Sequence, residues 1–277
     1  MHLGKDDGKV SHFYTEQVKI KYSDQIVVDD LNLSIPKGKI TALIGANGSG
    51  KSTILKTLAR IMRPYGGTVY LNGKSIHQTP TKEIAKQLAI LPQNPTAPGG
   101  LTIYELVSYG RFPYQKGLGT LTSEDREIIH WAIEVTGLSK IAQRPIEQLS
   151  GGQRQRAWIA MALAQQTDVL LLDEPTTYLD MAHQLEVLEL LDKLNREESR
   201  TIVMVVHDLN HASQYAHRIV AIKNGKLIAE GTPREVITKD ILRTVFGVEA
   251  DIYMDARTGV PICIPYSLQK EAKIGAV

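Results

Sequence analysis

The sequence contains Ile40-Thr41-Ala42-Leu43-Ile44, followed directly by Gly45-Ala46-Asn47-Gly48-Ser49-Gly50-Lys51-Ser52, and this segment is the strongest indication of its fold. Residues 40–44 form a short, mostly apolar run that ends at a glycine, which is typical of a strand buried on both faces. Residues 45–52 match G-x-x-x-x-G-K-[ST], and a helical pattern over residues 54–62 follows them. Strand, glycine-rich loop and helix in this order predict a phosphate-binding loop.

The residue types of this loop suit a nucleoside triphosphate and its magnesium ion. Glycines let the loop curl until backbone N–H groups converge on an anion, and the following helix adds its positive N-terminal dipole. The Lys51 ammonium can reach the β- and γ-phosphates, and the Ser52 hydroxyl suits a Mg²⁺ ligand. The loop residues that we expect at the nucleotide are Gly45, Asn47, Gly48, Ser49, Gly50, Lys51, Ser52 and Thr53.

A second buried run, residues 169–172, ends in two acids, Asp173 and Glu174. The carboxyl end of a parallel strand lies at the same sheet edge as the phosphate loop. We expect Asp173 to hold Mg²⁺, through water, and Glu174 to orient or deprotonate the attacking water. The alternative is a pair of solvated acids at a strand end, which the phosphate loop makes the weaker interpretation.

The segment Leu149-Ser150-Gly151-Gly152-Gln153 has two interpretations. Ser150 and Gln153 fit S-x-x-Q, a capping box, which would start a helix at Arg154. The same geometry exposes backbone N–H groups beside a serine hydroxyl, which makes a second phosphate-binding site. One triphosphate does not need two such sites from one chain. If both are real, a dimer in which each chain completes the other's pocket is the natural arrangement.

Composition describes an ordinary globular chain of 277 residues, 43% hydrophobic and 22% charged. This excludes a disordered chain, a collagen-like chain and a disulfide scaffold. The net charge of +2 gives no support for nucleic-acid binding. The single cysteine, Cys263, excludes an internal disulfide and is expected to be buried. No apolar run reaches the ~20 residues of a membrane span, and residues 1–13 do not resemble a signal peptide.

Strand and helix patterns alternate along the chain and predict an α/β fold with a mostly parallel sheet. Strands are predicted over residues 17–22, 26–35, 40–44, 88–91, 169–172, 202–206, 219–222 and 227–229. Helices are predicted over residues 54–62, 155–164 and 185–194, besides those of the inserted and C-terminal segments.

The chain divides into three predicted parts. Residues 1–94 and 146–231 would form the ATP-binding core, with an antiparallel β part at its N-terminus. Over residues 95–145 the pattern of buried strands gives way to helical patterns, which predict an inserted helical subdomain. Its helices would be capped at Thr102 and Thr122, with a loop over residues 110–119. Residues 232–277 predict a small extension of two short helices and a hairpin.

From about residue 17 to residue 231, the sequence resembles the ATP-binding-cassette ATPases. The resemblance covers the phosphate loop, the signature at 149–153 and the acidic pair. It implies further site residues, which are Tyr22 stacking on adenine, Gln93 sensing Mg²⁺ and the attacking water, Asp180 in a loop crossing the dimer seam, and His207 as the switch histidine. Singly, Tyr22, Gln93 and His207 are more often surface or packing residues, but here they occur together and in order. The site residues are therefore Tyr22, Gly45, Asn47, Gly48, Ser49, Gly50, Lys51, Ser52, Thr53, Gln93, Ser150, Gly151, Gly152, Gln153, Asp173, Glu174, Asp180 and His207.

A finer resemblance is to the ATPases of bacterial importers for iron–siderophores, haem and cobalamin. Residues 88–93, 106–113, 154–165 and 172–180 carry it. It implies an ATPase that uses ATP and Mg²⁺, works as a homodimer and lies at the cytoplasmic face of the membrane. A separate permease would contact the helical subdomain, and a periplasmic or extracellular binding protein would act indirectly. Ferric siderophore uptake is the favoured function, with cobalamin or haem import as the alternative.

A rival from another class is a soluble cassette protein that acts on nucleic acid or ribosomes. Chromosome-maintenance relatives insert long coiled coils, and only ~50 residues without sustained heptads separate Gln93 from the signature. Ribosome-associated relatives carry two cassettes per chain, and this chain has one. We therefore expect no nucleic-acid partner, whereas an exporter stays possible because a cassette alone does not set the direction of transport.

Overall fold

A computed structural model of the chain describes residues 12–23, 25–115 and 120–269. The predictions for residues 1–11, 24, 116–119 and 270–277 lie outside the described residues. They include the outer ends of the first and last predicted parts and the second half of the predicted loop at 110–119.

Thirteen strands and nine α-helices occur in the described residues. The strands are β1 (Phe13–Tyr22), β2 (Gln25–Leu31), β3 (Ser34–Ile35), β4 (Ile40–Ile44), β5 (Gly66–Leu71), β6 (Lys74–Ser75), β7 (Leu88–Leu91), β8 (Val169–Asp173), β9 (Thr201–Val205), β10 (Arg218–Lys223), β11 (Lys226–Gly231), β12 (Val248–Met254) and β13 (Pro261–Leu268). The helices are α1 (Lys51–Leu58), α2 (Thr81–Ala85), α3 (Ile103–Ser108), α4 (Ser123–Val135), α5 (Gly151–Ala164), α6 (Met181–Glu198), α7 (Leu209–Tyr215), α8 (Pro233–Val236) and α9 (Lys239–Phe246).

The central sheet has six strands in the order β11-β10-β4-β9-β8-β7. Every pair in it is parallel except β10 with β11, which confirms the expected mostly parallel sheet. The carboxyl ends of β4, β7, β8 and β9 therefore meet at one edge, where α/β proteins bind ligands. The residues that follow these strands are those of the predicted catalytic site.

The central sheet is buried on both faces, which explains its uninterrupted apolar runs. Alternate residues of its strands belong to two separate hydrophobic clusters, so Leu170 and Leu172 pack on one side and Val169 and Leu171 on the other. One cluster contains the faces of α3 to α7, and the other contains α1 and the antiparallel sheet. Strand β4, which leads into the phosphate loop, is thus fixed between two cores.

The N-terminal sheet is antiparallel, as expected, with the order β2-β1-β5-β6 and β3 paired to β1. The strand predicted over residues 26–35 is two strands in the structure. Asp30 takes a left-handed backbone with φ 55°, so the extended run ends near Leu31 and resumes at Ser34. The short elements β5, β6, α2 and α7 were not predicted.

Helices α3, α4 and α5 pack against one another beside the central sheet. The capping boxes predicted at Thr102 and Thr122 are both formed. The predicted loop is wrong over its first residues, because Tyr109–Tyr114 is a 3₁₀ turn. A side chain at Gly110 would lie 2.2 Å from the Met161 carbonyl oxygen, so this glycine marks close packing of the turn on α5. The domain boundary at residue 146 stays a prediction, since α5 contacts both α3 and β7.

Three helices begin earlier than predicted, each for an identifiable reason. Helix α1 begins at Lys51 because Gly50 is its N-cap, with φ 102°. Helix α5 begins at Gly151 because the Ser150–Gln153 capping box makes Ser150 the N-cap. Helix α6 begins at Met181, not at residue 185, because Asp180 is its N-cap and accepts a hydrogen bond from the His183 N–H. The two short helices and the hairpin predicted after residue 231 are present, with Thr232 heading α8 and an antiparallel β12–β13 hairpin after α9, whereas the extension as a separate part stays a prediction. No helix of the described residues is long and apolar enough to cross a bilayer.

Candidate active site

The phosphate loop connects β4 to α1 at the carboxyl edge of the central sheet. Gly45 needs to be glycine, because a Cβ there would lie 2.2 Å from the Ile222 carbonyl oxygen. Gly50 caps α1 without a side-chain hydrogen bond, so the first N–H groups of the helix are free of a side-chain cap. The loop therefore presents backbone donors at a positive helix end, which is an anion site.

Lys51 is held inside this loop, with only 5% of its surface exposed. Its Nζ donates to the carbonyl oxygens of Gly45 at 2.9 Å and Ala46 at 3.0 Å. Burial lowers the pKa of Lys51, and the nearby carboxyls of Glu174 and Asp173 act in the opposite direction. The negative charge of a triphosphate would offset the loss of hydration that burial imposes on this ammonium.

Ser52 and Asp173 meet at the base of the loop and suit a hard cation. The Ser52 Oγ donates to Asp173 Oδ1 at 2.8 Å, and Asp173 is 2% exposed. Asp173 Oδ2 is buried without a hydrogen-bond partner in the described part of the chain. Burial raises the pKa of Asp173, with the Ser52 hydrogen bond acting against the shift. Oxygen ligands of this kind fit Mg²⁺, which usually keeps several waters and binds phosphate oxygens as well.

Few protein groups are available to such a cation. Among the described residues, no group of three or more His, Cys, Asp or Glu side chains could hold a metal ion.

Glu174 is the centre of a polar cluster at the same edge. Its Oε2 accepts from Gln93 Nε2 at 2.5 Å and from Thr177 Oγ1 at 3.0 Å. His207 Nε2 lies 2.6 Å from the other oxygen, Oε1. The Glu174 backbone is left-handed, with φ 55°, a conformation that non-glycine residues adopt rarely and that clusters at functional sites. Three predicted catalytic residues, Gln93, Glu174 and His207, are thus in direct contact.

A cavity of about 120 Å³ opens beside this cluster. Its lining includes Glu174, Thr176, Thr177 and His207. Thr177 was not predicted from the sequence, although it lies three residues after Glu174 in the stretch 172–180. The cavity is large enough for several waters next to a carboxylate that can accept a proton.

The predicted second phosphate site is on the exposed N-terminus of α5. Ser150 and Gly151 face solvent, and Gln153 completes the capping box from inside the helix. Gly152 is buried because the ring of His183 packs on it, so that a Cβ would lie 2.3 Å from His183 Cδ2. His183 Nδ1 lies 2.8 Å from Asp180 Oδ1. His183 therefore contacts both predicted dimer elements, and its closeness to Asp180 along the chain is the one signal that could have pointed to it.

The remaining predicted residues are at the margins of the site. Tyr22 ends β1 with 47% of its surface exposed, which leaves its ring free to stack on a base. Asp180 caps α6, and its hydrogen bonds to the backbone and ring of His183 lower its pKa. Asn47 and Gly48 are exposed at the tip of the loop, Ser49 is buried, and Thr53 is half-buried in α1.

A mostly parallel sheet covered on both faces, a phosphate loop, and a cavity for several waters beside a carboxylate define the class of P-loop nucleotide-hydrolysing proteins. The sequence family described as ABC transporter matches residues 28–177. The chain belongs to this family, and it is an ATP-binding ATPase of the cassette type.

Relatives of the chain agree with this assignment. It is 64% identical to the iron(3+)-hydroxamate import ATP-binding protein FhuC of Bacillus subtilis (strain 168), over 94% of this chain and 96% of that protein. It is 55% identical to the probable siderophore transport system ATP-binding protein YusV of the same organism, over 93% of this chain and 94% of that protein.

Solved structures show the same fold. A chain described as part of a metal-chelate type ABC transporter, in an inward-facing conformation, matches with a TM-score of 0.80 and 27% identity. The match covers 92% of this chain and 97% of that chain. The dimeric bacterial ABC transporter cassette MJ0796 matches with a TM-score of 0.70 and 30% identity, over 79% of this chain and 98% of that chain.

Proposed function

We propose that this chain is the ATPase subunit of an importer that takes up ferric siderophores, of which hydroxamates are the first to test. The observation that carries the proposal is the Glu174 cluster beside the phosphate loop, in a chain 64% identical to an iron(3+)-hydroxamate import ATP-binding protein. The cluster supports turnover of ATP, and the relative supports the cargo.

Binding of ATP uses the phosphate loop and Tyr22. The N–H groups of residues 45–52 and the dipole of α1 hold the phosphates, and Lys51 leaves its two loop carbonyls for phosphate oxygens. Ser52 and Asp173 would hold Mg²⁺, which when bound neutralises charge on the β- and γ-phosphates. The exposed ring of Tyr22 would stack on adenine.

Hydrolysis uses the Glu174 cluster. The oxygen of a water attacks the γ-phosphorus, and the bond from that phosphorus to the oxygen that bridges the β- and γ-phosphates breaks. One proton of the water passes to the Glu174 carboxylate, and ADP and phosphate are the products. Gln93 and Thr177 donate hydrogen bonds to Glu174 Oε2. These bonds hold the carboxylate beside the position that the attacking water must take. His207, 2.6 Å from Glu174 Oε1, is placed to donate to the γ-phosphate once nucleotide is bound.

A second copy would complete the site. The N-terminus of α5 presents Ser150 and Gly151 to solvent, and its free backbone donors fit the γ-phosphate of an ATP held by another chain. The match to a dimeric cassette supports this arrangement. Closure around two ATP molecules and reopening after hydrolysis would then be a ligand-driven population shift.

The helical part, residues 95–145, would contact the permease. Phe112 is 67% exposed on the Tyr109–Tyr114 turn, whereas its neighbour Arg111 is buried. Arg111 donates to Asp125 Oδ1 at 2.7 Å and to the Ala164 carbonyl at 2.9 Å, which fixes the turn on α4 and α5. A rigid turn that exposes an aromatic ring is suited to receive a partner helix. Such docking would keep the chain at the cytoplasmic face, and the substrate-binding protein would act through the permease.

The experiment is uptake of radiolabelled iron by a strain that lacks this chain. The strain is complemented with the unaltered chain, with Glu174→Gln, or with Glu197→Gln as a matched control at an exposed site on α6. Iron is offered as ferric hydroxamates and as ferric catecholates. We expect uptake to be restored by the unaltered chain and by Glu197→Gln, and not by Glu174→Gln.

Unchanged uptake of every siderophore in the deletion strain contradicts the proposal. Labelled haem and cobalamin, offered to the same strains, then test the two other cargoes. Purified ribosomes and DNA, tested for ATP-dependent binding to the chain, address the rival outside transport.

A further inference from the structure

The C-terminal extension is joined to the segment that carries His207. Helix α7 starts directly behind His207, with Asp208 as its N-cap. Asp208 Oδ1 accepts from the backbone N–H groups of Asn210 at 2.7 Å and His211 at 3.0 Å. The backbone that aims His207 is therefore continuous with the first turn of α7.

Strand β13 of the C-terminal hairpin holds that first turn from the other side. The Asn210 side-chain amide donates to the Cys263 carbonyl oxygen at 3.2 Å and accepts from the Cys263 N–H at 2.8 Å. One turn later, Ser213 Oγ donates to the Pro261 carbonyl oxygen at 2.6 Å. Asn210 thus satisfies both backbone groups of an edge-strand residue, as a neighbouring strand would.

The hairpin is itself fixed to the body of the protein. Arg243 of α9 makes a bidentate contact with Glu249 of β12, at 2.8 and 2.9 Å. Ala250 and Cys263 belong to the main hydrophobic cluster, in which α9 also takes part. A fixed hairpin can impose an orientation on whatever it binds.

His207 depends on such support, because its own side chain is 44% exposed. Packing alone does not fix an imidazole that is this open to solvent, so the path of its backbone decides where Nε2 points. The two hydrogen bonds of Asn210 to β13 are the first polar contacts of α7 with the extension after His207.

We propose that Asn210 is a positioning residue, through which the C-terminal hairpin holds His207 in line with Glu174 and the γ-phosphate. Asn210 touches neither nucleotide nor water in this account and acts only through the start of α7. The inference rests on the proposed function, in which His207 takes part in hydrolysis. It gives the extension a role in setting the rate of ATP turnover.

The test compares Asn210→Ala in two backgrounds of the full-length chain, unaltered and His207→Ala. Asn210 is on the exposed side of α7, and Gln214→Ala, at an exposed position of the same helix, is the matched control. Single-turnover hydrolysis over hours measures the slow variants, and steady-state hydrolysis gives kcat and KM for the faster ones. Thermal unfolding measures Tm for all of them.

In the unaltered background, we expect Asn210→Ala to lower kcat about 10-fold and to change KM for ATP less than about 2-fold. In the His207→Ala background, we expect it to change the rate less than about 2-fold, because the residue it positions is gone. Asn210→Asp keeps the size and the acceptor of the side chain and removes its donor, so it replaces Asn210→Ala in the test if Asn210→Ala does not fold. We expect it, too, to slow hydrolysis in the unaltered background and to have little effect in the His207→Ala background.

Three results overturn the inference. These are an unchanged kcat, an equal fold-loss in both backgrounds, and a loss shared by Gln214→Ala. A His207→Ala chain that hydrolyses ATP at the unaltered rate contradicts the proposed role of His207 instead. A slow His207→Ala chain with a normal Asn210→Ala chain removes only the role of Asn210.

Discussion

Two helices of this protein, α1 and α5, present glycine-rich N-termini, and they are built differently. At α1 the polar groups turn inward, so that Lys51 bonds loop carbonyls and Ser52 bonds Asp173. At α5 the cap is self-contained, because Ser150 and Gln153 bond each other and Ser150 faces solvent. The first N-terminus is anchored in its own chain, and the second is presented outward.

This difference indicates which site one chain can complete alone. The loop before α1 contains the Lys51 ammonium and backbone N–H donors, and the Asp173 carboxylate lies beside it in the same chain. A triphosphate and Mg²⁺ need these groups. The N-terminus of α5 offers donors and a hydroxyl with open space before them. It becomes useful when a second molecule brings a phosphate to it. Substitutions at each terminus and at Glu174 separate ATP binding, hydrolysis and dimer assembly.

The largest expected effect is on chemistry, with both termini left intact. Glu174→Gln keeps the shape of the side chain and removes the acceptor for the water proton, so we expect hydrolysis to slow about 1,000-fold. Equilibrium binding of a fluorescent ATP analogue should stay unchanged, and Glu197→Gln should affect neither measurement. Hydrolysis at the unaltered rate would contradict the assignment of Glu174.

The next largest effect is on ATP affinity and comes from a substitution at the N-terminus of α1. Lys51→Met keeps an unbranched side chain, one atom shorter, and removes its charge, so we expect ATP to bind about 100-fold more weakly, as for loss of charged hydrogen bonds. Lys193→Met, at an exposed position of α6, is the control. Isothermal titration measures both. Equal affinity of the two variants would show that Lys51 does not hold the phosphates.

A smaller effect is expected from a substitution at the N-terminus of α5, which leaves the N-terminus of α1 unaltered. A methyl group at Gly152 would lie 2.3 Å from His183 Cδ2, whereas one at Gly151 meets Leu179 Cδ2 at 3.6 Å, an ordinary contact. We expect Gly152→Ala to push His183 and Asp180 aside and to lower steady-state hydrolysis about 10-fold, with ATP affinity unchanged. Gly151→Ala should retain more activity than Gly152→Ala, and the reverse order would contradict the His183 contact.

The smallest effect separates capping from function. Ser150→Ala and Thr102→Ala each remove the N-cap of a capping box, so each should lower the free energy of unfolding by about 1 kcal/mol. Urea unfolding measures this cost. Only Ser150→Ala should also slow hydrolysis, by a few-fold, since Thr102 caps α3 away from the Glu174 cluster. Equal activities would make Ser150 a structural cap alone.

Much of the fold could be predicted because its signals are local. The phosphate loop, the buried strands and three capping boxes each depend on a few neighbouring residues. The strands β5 and β6 and the helices α2 and α7 were missed, since they are short and half-exposed and are held by tertiary contacts. Gly110 was taken as a loop residue, because sequence does not show that α5 packs against it.

The site followed the same division. Motif residues such as Lys51 and Glu174 could be found from spacing and from family resemblance. Thr177, His183 and Asn210 could not be found in this way, because their importance lies in contacts that only the folded chain makes. Thr177 and His183 contact motif residues, and Asn210 contacts the hairpin strand β13. The residues that hold a site in place are therefore the ones that only the structure reveals.

Whether two copies share each ATP is decided by the mass of the Glu174→Gln protein in solution, measured by sedimentation. With ATP we expect a dimer that retains one nucleotide per chain, and with ADP a monomer. Gly152→Ala added to Glu174→Gln should keep the chain monomeric while ATP stays bound. A Glu174→Gln chain that binds ATP at full occupancy and stays a monomer would contradict the account.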